Sequence, residues 1–299
     1  MRKKIIILLV VGTLLFVGYI FKSHIQAVIN QILIDQKKVT LPVANEYKRH
    51  HDFLFIQNTT DFKPKTKQDL LNIYFTILNS GWDEFTFYCP PEYKKCLSDL
   101  KKIASDNTLL SHLNNFVHPF NSYQEIKTRY NTMGLITIML DKTYPDGQKL
   151  LIKNKANDIL NDIIKPSMTS NEKIKVIHDY IIRHTKYAVN YESNKKDRAQ
   201  TSYGVLFNGY GTCNGYADTL AIFLDMIEIK NYKIASDTHV WNYVYVDNKW
   251  YHLDVAWNDP VTEDGEDIIS DTFYLITTEK LKDMNIKDHD YPSHIYLEK

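Results

Sequence analysis

Hydrophobic and polar residues follow helical and strand periods along most of the chain beyond residue 50. The segments TKQDLLNIYFTILNSG, which stops at Gly81, and YKKCLSDLKKIA have the spacing of helices. EFTFYC and LITIMLDKTY alternate apolar and polar positions, which is typical of strands. Residues 50–165 are therefore predicted to form an α/β region, and no motif in them indicates its role.

A third helix is predicted from SNEKIKVIHDYIIRHTKY, with Ser170 as its N-cap and isoleucines along one face. His178 and His184 belong to this helix. They are six residues apart, a spacing that does not stack two side chains on one face. We therefore interpret both histidines as structural or solvent-facing rather than as ligands.

The segment GYGTCNGYADTLAIFLDMI predicts a buried helix that begins close to Cys213, with Thr212 or Asn214 as its cap. Three glycines around the cysteine suit a close approach of another backbone segment. A helix N-terminus favours an anion and so makes a nucleophilic thiolate available. The alternative interpretation is a buried structural cysteine beside a glycine-rich turn.

Two strand-like segments, HVWNYVYV and KWYHLDVAW, flank Asp247 and Asn248, a pair typical of a two-residue hairpin turn. If these two residues form the loop, Val246 pairs with Lys249 and the positions of all facing pairs sum to 495. The remaining pairs follow from this register. A loop one residue longer or shorter would place residues that share a face in this register on opposite faces of the hairpin.

In this register His239 and Asp254 project from the same side of the hairpin, one diagonal apart. Diagonal neighbours lie about 7–8 Å apart at the backbone, within hydrogen-bonding reach of a histidine and an aspartate side chain. A thiol, an imidazole and a carboxylate together can carry out nucleophilic catalysis. His252, which faces Tyr243 on the same side, is a rival base, and we favour His239.

Composition narrows the class of function. With 299 residues and 44% hydrophobic side chains, the chain can bury a sizeable core as one large domain or two smaller ones. Its formal net charge is zero, so no basic field favours nucleic acid, and we predict no nucleic-acid partner.

The basic residues RKK precede an uncharged apolar run, Ile5–Phe21. We predict a membrane anchor helix over residues 1–22 and a stalk over residues 23–49, with the remainder outside the cytoplasm at the cell membrane. The alternative is a cleaved export signal and a secreted protein. Cys89 and Cys96 either form a disulfide, which export permits, or are two buried free thiols. No zinc-site or EF-hand spacing is present, so we predict no metal and no cofactor.

The segments GTCNGYAD, HVWN and WYHLDVAWNDP resemble the core of the transglutaminase-like superfamily. The resemblance covers roughly residues 170–260, and NEKIKVIHDYI and DTFYLITTEKL are similar to uncharacterised bacterial, membrane-anchored members. It implies that residues 166–299 adopt an α+β, papain-like fold, in which a cysteine-bearing helix packs on an antiparallel sheet. Cys213 would then be the nucleophile, His239 the general base and acid, and Asp254 the orienting carboxylate.

The resemblance also implies attack on protein or peptide amides through a thioester, followed by acyl transfer or hydrolysis. The backbone N–H of Cys213 would stabilise the oxyanion, with a second donor from Tyr203, our first choice, Asn208 or Tyr187. Trp241, Trp257 and Tyr216 are candidates for the walls of a substrate tunnel or for core residues. Many relatives have Thr and Asp where DVAWNDP has Ala256 and Asn258. The alternative function is a non-catalytic cell-surface module for binding or envelope assembly.

Overall fold

The computed structural model describes residues 41–189, 198–261 and 268–299, together with a few residues between 18 and 28. Within these described residues, no helix has the length and apolar character that crossing a membrane requires. Most of the predicted anchor, Ile5–Phe21, and much of the predicted stalk lie outside them. The anchor therefore stays a prediction from the sequence.

The first half of the described chain is a small antiparallel sheet covered by helices, as the hydrophobic pattern predicts. The sheet has the order β1-β3-β2, and a disulfide joins Cys89, after β1, to Cys96, the first residue of α2. This settles the two alternatives for these cysteines in favour of the disulfide. The elements are α1 (Lys67–Asn79), β1 (Glu84–Tyr88), α2 (Cys96–Ala104), α3 (Asn107–Phe116), β2 (Tyr123–Tyr130) and β3 (Leu135–Lys142).

The second half contains a second antiparallel sheet, of order β6-β7-β8. One helix packs on this sheet, and two further helices pack against that helix. The predicted helix after residue 169 is present, but its N-cap is Thr169, whose side chain forms a capping box with Glu172, and not Ser170. The elements are α4 (Asp146–Ile163), α5 (Ser170–His184), β4 (Lys186–Tyr187), β5 (Tyr210–Gly211), α6 (Cys213–Met226), β6 (Asn231–Ala235), β7 (Val240–Val246), β8 (Lys249–Leu253) and α7 (Thr278–Asp283).

The predicted register of the β7–β8 hairpin is confirmed. Val246 pairs with Lys249 and Tyr243 with His252, as a two-residue loop requires. The loop residues Asp247 and Asn248 both have positive φ, 51° and 61°, which is the conformation of the tight hairpin turn that matches strand twist. The paired ladder ends with Asn242 and Leu253, so His239 and Asp254 lie just beyond the last paired residues.

Two hydrophobic cores meet at this second sheet. The first contains α1, α2 and α3, the aromatic residues Tyr232 and Trp241 of the sheet, and Tyr296 near the end of the chain. The second contains inward-facing residues of α4, α5 and α6. The boundary predicted between residues 165 and 166 thus falls between two helices that share one core. Residues 50–165 pack directly against the sheet that carries the predicted site.

Helix α6 packs on β6 and β7 and begins at Cys213, as predicted. The backbone of Ala199 passes so close to this first turn that a Cβ at position 215 would lie 2.3 Å from its carbonyl oxygen. Only glycine fits this contact without a shift of backbone. Gly215 therefore fixes the distance between the start of α6 and the segment that begins at Arg198.

Replacing Gly215 with alanine should destabilise the protein by about 1–3 kcal/mol, because a methyl group there overlaps backbone that cannot rotate away. The matched control is Gly147→Ala in α4, where a Cβ meets nothing within 4 Å. This control should be neutral or stabilising by up to about 1 kcal/mol, through helix propensity. Thermal and urea unfolding measure both effects, and equal stabilities of the two variants would contradict the prediction.

Candidate active site

Cys213 occupies the first position of α6 and is partly exposed. The preceding residue, Thr212, has the extended backbone of an N-cap, and its N–H donates to the carbonyl of Ala199 at 2.8 Å. Among the described residues, the Thr212 side chain caps no amide of the first turn. The start of the helix therefore presents backbone N–H groups and its positive end to the sulfur.

His239 is held in place just before β7 by a tight turn. Its backbone N–H donates to the hydroxyl of Ser236 at 3.1 Å, and its carbonyl accepts from the backbone N–H of Ser236. The imidazole stacks on the buried ring of Trp241, with 5.8 Å between centroids and 14° between planes. These contacts leave the ring one orientation.

The Nε2–H of His239 donates to Oδ2 of Asp254 at 2.5 Å, and both side chains are buried. The imidazole also interacts with the thiol of Cys213. Because Nε2 is used by the carboxylate, Nδ1 is the nitrogen left for the sulfur. The structure thus brings together the three side chains that the sequence analysis selected.

The charge of His239 follows from these neighbours. Burial by itself disfavours the imidazolium, but the carboxylate of Asp254 and the sulfur of Cys213 outweigh it and raise the pKa of His239 to about 10. The same pairing acts on the partner: burial would raise the pKa of Asp254, and the positive charge of His239 lowers it overall. At neutral pH the pair is imidazolium and carboxylate.

Asp254 has a second histidine partner that the sequence analysis missed. Nε2–H of His289, in a 3-10 turn at Lys287–His289, donates to the same oxygen at 2.8 Å, while the backbone N–H of Trp257 donates to the other oxygen at 3.0 Å. Within the described chain, Nδ1 of His289 is buried without a hydrogen-bond partner. One oxygen of Asp254 thus accepts from both histidines, and His289 helps to fix the orientation of this carboxylate toward His239.

The rival base His252 has a different role. It faces Tyr243 as predicted, but its Nδ1 accepts from the indole N–H of Trp241 at 3.0 Å, and its Nε2 lies 3.1 Å from the hydroxyl of Thr278. Burial, with smaller contributions from nearby cations, lowers the pKa of His252 to about 3. It is a neutral core residue that supports the Trp241 ring beneath His239.

Of the three candidates for an oxyanion donor, the structure places Tyr187 beside the sulfur. Its hydroxyl interacts with both the backbone and the thiol of Cys213, and burial followed by the nearby sulfur raises its pKa, which keeps the phenol protonated. Tyr203, our first choice from the sequence, instead stacks on Phe207 at 4.7 Å and lies under Arg198. The sequence could not rank them, because the order of residues in a loop does not fix where their side chains point.

The aromatic residues considered as tunnel walls separate into two groups. Trp241 and Tyr216 are buried and belong to the cores. Trp257 is 37% exposed, and its ring centroid lies 6.0 Å from that of His239. Trp257 is therefore the member of this set that can contact a substrate at the imidazole.

His178 is structural, in line with the sequence interpretation. It is fully buried, its Nδ1–H donates to Asp179 at 2.8 Å, and its Nε2 accepts from the side-chain amide of Asn258 at 3.0 Å. The Asn258 carbonyl oxygen in turn accepts from the backbone N–H of Phe273. Asn258 thus ties the loop after Asp254 to α5. His184 is exposed and contacts the carbonyl of Tyr180.

Two groups of side chains have possible metal-ligand atoms within 4.8 Å of one another. The first group is His239, Asp254 and His289, and the second is His178, Asp179 and Asp271. Hydrogen bonds between the ring nitrogens and the carboxylate already link the first group. In the second, Asp179 also pairs with Lys175 at 2.6 Å. Protein contacts account for both groups, and the expectation that no metal is required stays a prediction.

Residues 157–255 match the family model of the transglutaminase-like superfamily. This part of the chain is therefore similar to the transglutaminase-like superfamily, and the matched span includes Cys213, His239 and Asp254. A curated relative is the kyphoscoliosis peptidase of Mus musculus, 19% identical over 188 residues. The alignment covers 56% of this chain and 28% of that protein, so the chain spans less than a third of this relative's length.

Solved structures with partial similarity include a TGase, 15% identical, with a TM-score of 0.36 over 48% of this chain and 46% of the other. A cysteine-protease candidate from Cytophaga hutchinsonii is 12% identical, with a TM-score of 0.29 over 49% of this chain and 65% of the other. A protease candidate from Parabacteroides distasonis is 19% identical, with a TM-score of 0.29 over 44% and 31%. These TM-scores lie below 0.5, so the similarity to the superfamily rests on the sequence match over residues 157–255.

The raised pKa of His239 implies that the free energy of unfolding depends on pH. Because its folded-state pKa of about 10 exceeds its usual 6.5, the pairing stabilises the fold fully below pH 6.5 and less as pH rises toward 10. His239→Gln should therefore lower the free energy of unfolding most at about pH 6, with a difference that shrinks toward pH 10. Urea unfolding across this range measures it. His184→Gln is the exposed control, and a His239→Gln difference that does not change with pH would contradict the linkage.

Proposed function

We propose that this protein is a thiol-dependent enzyme that transfers or hydrolyses acyl groups of protein or peptide amides. The observation that carries the proposal is the buried His239–Asp254 pair, set against a cysteine at the first position of a helix. The match to the transglutaminase-like superfamily supports an enzyme of this general class. The fold itself is compatible with either second step.

In the proposed first step, His239 begins as the imidazolium, because its pKa is about 10. The Cys213 thiolate attacks the amide carbonyl carbon and forms a tetrahedral intermediate. His239 then donates its proton to the amide nitrogen as the C–N bond breaks, so ammonia or an amine leaves and a thioester with Cys213 is formed. Asp254 holds the ring with Nε2 toward itself, which leaves Nδ1 to give the proton.

In the second step, the neutral imidazole accepts a proton from water or from an incoming amine as it attacks the thioester. Water yields a carboxylic acid, whereas an amine yields a new amide, and both regenerate the thiolate–imidazolium pair. The negatively charged oxygen of the intermediate would accept hydrogen bonds from the backbone N–H of Cys213 and from the hydroxyl of Tyr187. These two donors already lie together.

We further propose that the enzyme acts outside the cytoplasm of a bacterium, held at the membrane by the apolar segment Ile5–Phe21. The Cys89–Cys96 disulfide supports an oxidising compartment. Substrates would then be proteins or peptides of the cell surface or wall. The net charge of zero supports a partner other than nucleic acid.

Iodoacetamide at pH 6 should alkylate Cys213 selectively in the folded protein, since the imidazolium and the helix N-terminus both favour the thiolate. His239→Ala should slow this alkylation by at least about tenfold, as expected when a charge-assisted partner worth ~1.4 kcal/mol or more is lost. Mass spectrometry of time points gives the rate.

Thr212→Ala is a suitable control, because its side chain caps no amide of α6 among the described residues. It should alkylate like the wild type. Slow alkylation that His239→Ala leaves unchanged would instead favour the non-catalytic surface module, since a binding function has no need of an activated sulfur.

The fate of the thioester can be read with a glutamine-containing protein and an amine probe, in buffer containing EDTA. If transfer is the main reaction, ammonia release and probe incorporation should rise together and disappear in Cys213→Ala. Release of ammonia or peptides without incorporation would exclude transfer as the main activity. Activity that appears only when EDTA is left out of the buffer would contradict the expectation that no metal is required.

A further inference from the structure

A cavity of about 420 Å³, lined mostly by residues with polar side chains, lies between the N-terminal region and the start of α6. Asn214 and Asp218 of α6 line one side, and residues that follow α3 and β3 line the other. Asn214 directly follows Cys213, and neighbouring Cα atoms are ~3.8 Å apart. Asp218 is five residues after Cys213, ~7.5 Å of helix rise. The cavity therefore begins one residue from Cys213 and extends along the face of α6 that carries Asn214 and Asp218.

A buried lysine forms part of this cavity. Lys233 is only 4% exposed, and its ammonium donates to Oδ1 of Asp218 at 2.6 Å. In the described part of the chain this is its single hydrogen bond to protein, although an ammonium has three N–H donors. Buried donors are normally satisfied. The cavity therefore contains a buried cation with donors available to a bound group.

Asp218 is already fully engaged. Its second carboxylate oxygen accepts from the hydroxyl of Tyr144 at 2.6 Å, so both oxygens have a donor. It is thus neutralised by Lys233 and held by Tyr144. A ligand that donates hydrogen bonds would compete with Lys233 and Tyr144 for this carboxylate, whereas a ligand that offers acceptors meets the lysine.

Two further lining residues favour an acceptor-rich ligand. Ser122 is 2% exposed, and its hydroxyl has no hydrogen-bond partner within the described residues. Arg198 stands exposed at the rim, with its guanidinium over the ring of Tyr203. The charged lining residues are Arg198, Lys233 and Asp218, which sum to one positive charge. The remaining polar lining residues carry amides and hydroxyls.

We propose that this cavity is a substrate subsite that binds a carboxylate of the acyl donor, from an acidic side chain near the reactive amide. An extended peptide advances about 3.3–3.6 Å per residue, so about two residues span the ~7.5 Å from Cys213 to the depth of Asp218. The inference rests on the proposed function for its meaning as a specificity site. The binding itself does not depend on turnover.

The test is calorimetric titration of the full-length Cys213→Ala variant with capped peptides. The probes are acetyl-Gln-Gly-Glu-amide and acetyl-Gln-Gly-Gln-amide, followed by the same pair with the residue order reversed. In at least one order the glutamate peptide should bind at least tenfold more tightly than its glutamine counterpart. Equal affinities in both orders, or no binding of any probe, would overturn the subsite.

The preference for the glutamate peptide should disappear in the double variant Asp218→Asn/Lys233→Met. This variant removes both charges of the buried pair at once and so leaves no unpaired charge. Circular dichroism and thermal unfolding check that this variant folds. Arg198→Glu, at the exposed rim, provides a second test and should reduce the preference at least threefold. Lys230→Gln is the matched control, since Lys230 also pairs with a carboxylate, Glu298, but lies outside the cavity. A preference that survives both cavity variants would overturn the assignment.

Failure of the proposed function gives a different result. A wild-type chain that binds the glutamate peptide selectively but neither alkylates at Cys213 nor releases ammonia keeps the subsite and loses the enzyme. A chain that alkylates and turns over glutamine without discriminating between the peptides keeps the enzyme and loses the subsite.

Discussion

The buried carboxylate of Asp254 is the group on which the geometry of the site depends. It accepts hydrogen bonds from His239, from His289 and from the backbone N–H of Trp257. These donors come from the residue before β7, a turn near the end of the chain and the loop after β8. A buried carboxylate without partners would cost several kcal/mol, so folding brings the three segments together. The same contacts hold the His239 ring in one orientation toward Cys213.

This network also sets the charge of the site. The raised pKa of His239 keeps a positive charge between the carboxylate and the sulfur at neutral pH. Beneath it, His252 stays neutral and accepts from Trp241, which stacks on His239. Of the three histidines around Trp241, His252 and His289 therefore support His239. The N-terminal region contributes differently, by packing on the same sheet and forming a wall of the cavity beside α6.

Several features could be predicted because they depend on neighbours in sequence. The helix at Cys213 follows from apolar spacing, and the β7–β8 register follows from the two turn residues Asp247 and Asn248. The N-cap of α5 was misplaced by one residue, because Thr169 and Ser170 are both good caps and only the reciprocal bond with Glu172 distinguishes them. His289 belongs to no local motif, since its partner lies 35 residues earlier.

The sequence by itself determined the elements, the hairpin register and the choice of Cys213, His239 and Asp254, because short-range periodicity and turn chemistry specify them. Only the tertiary structure decided that Tyr187 rather than Tyr203 contacts the sulfur, that His289 shares Asp254, and that Lys233 lines a cavity beside α6. The physical reason is that these contacts join segments far apart in the chain. Which side chains meet there depends on how helices and sheet pack, and local sequence patterns do not record that packing.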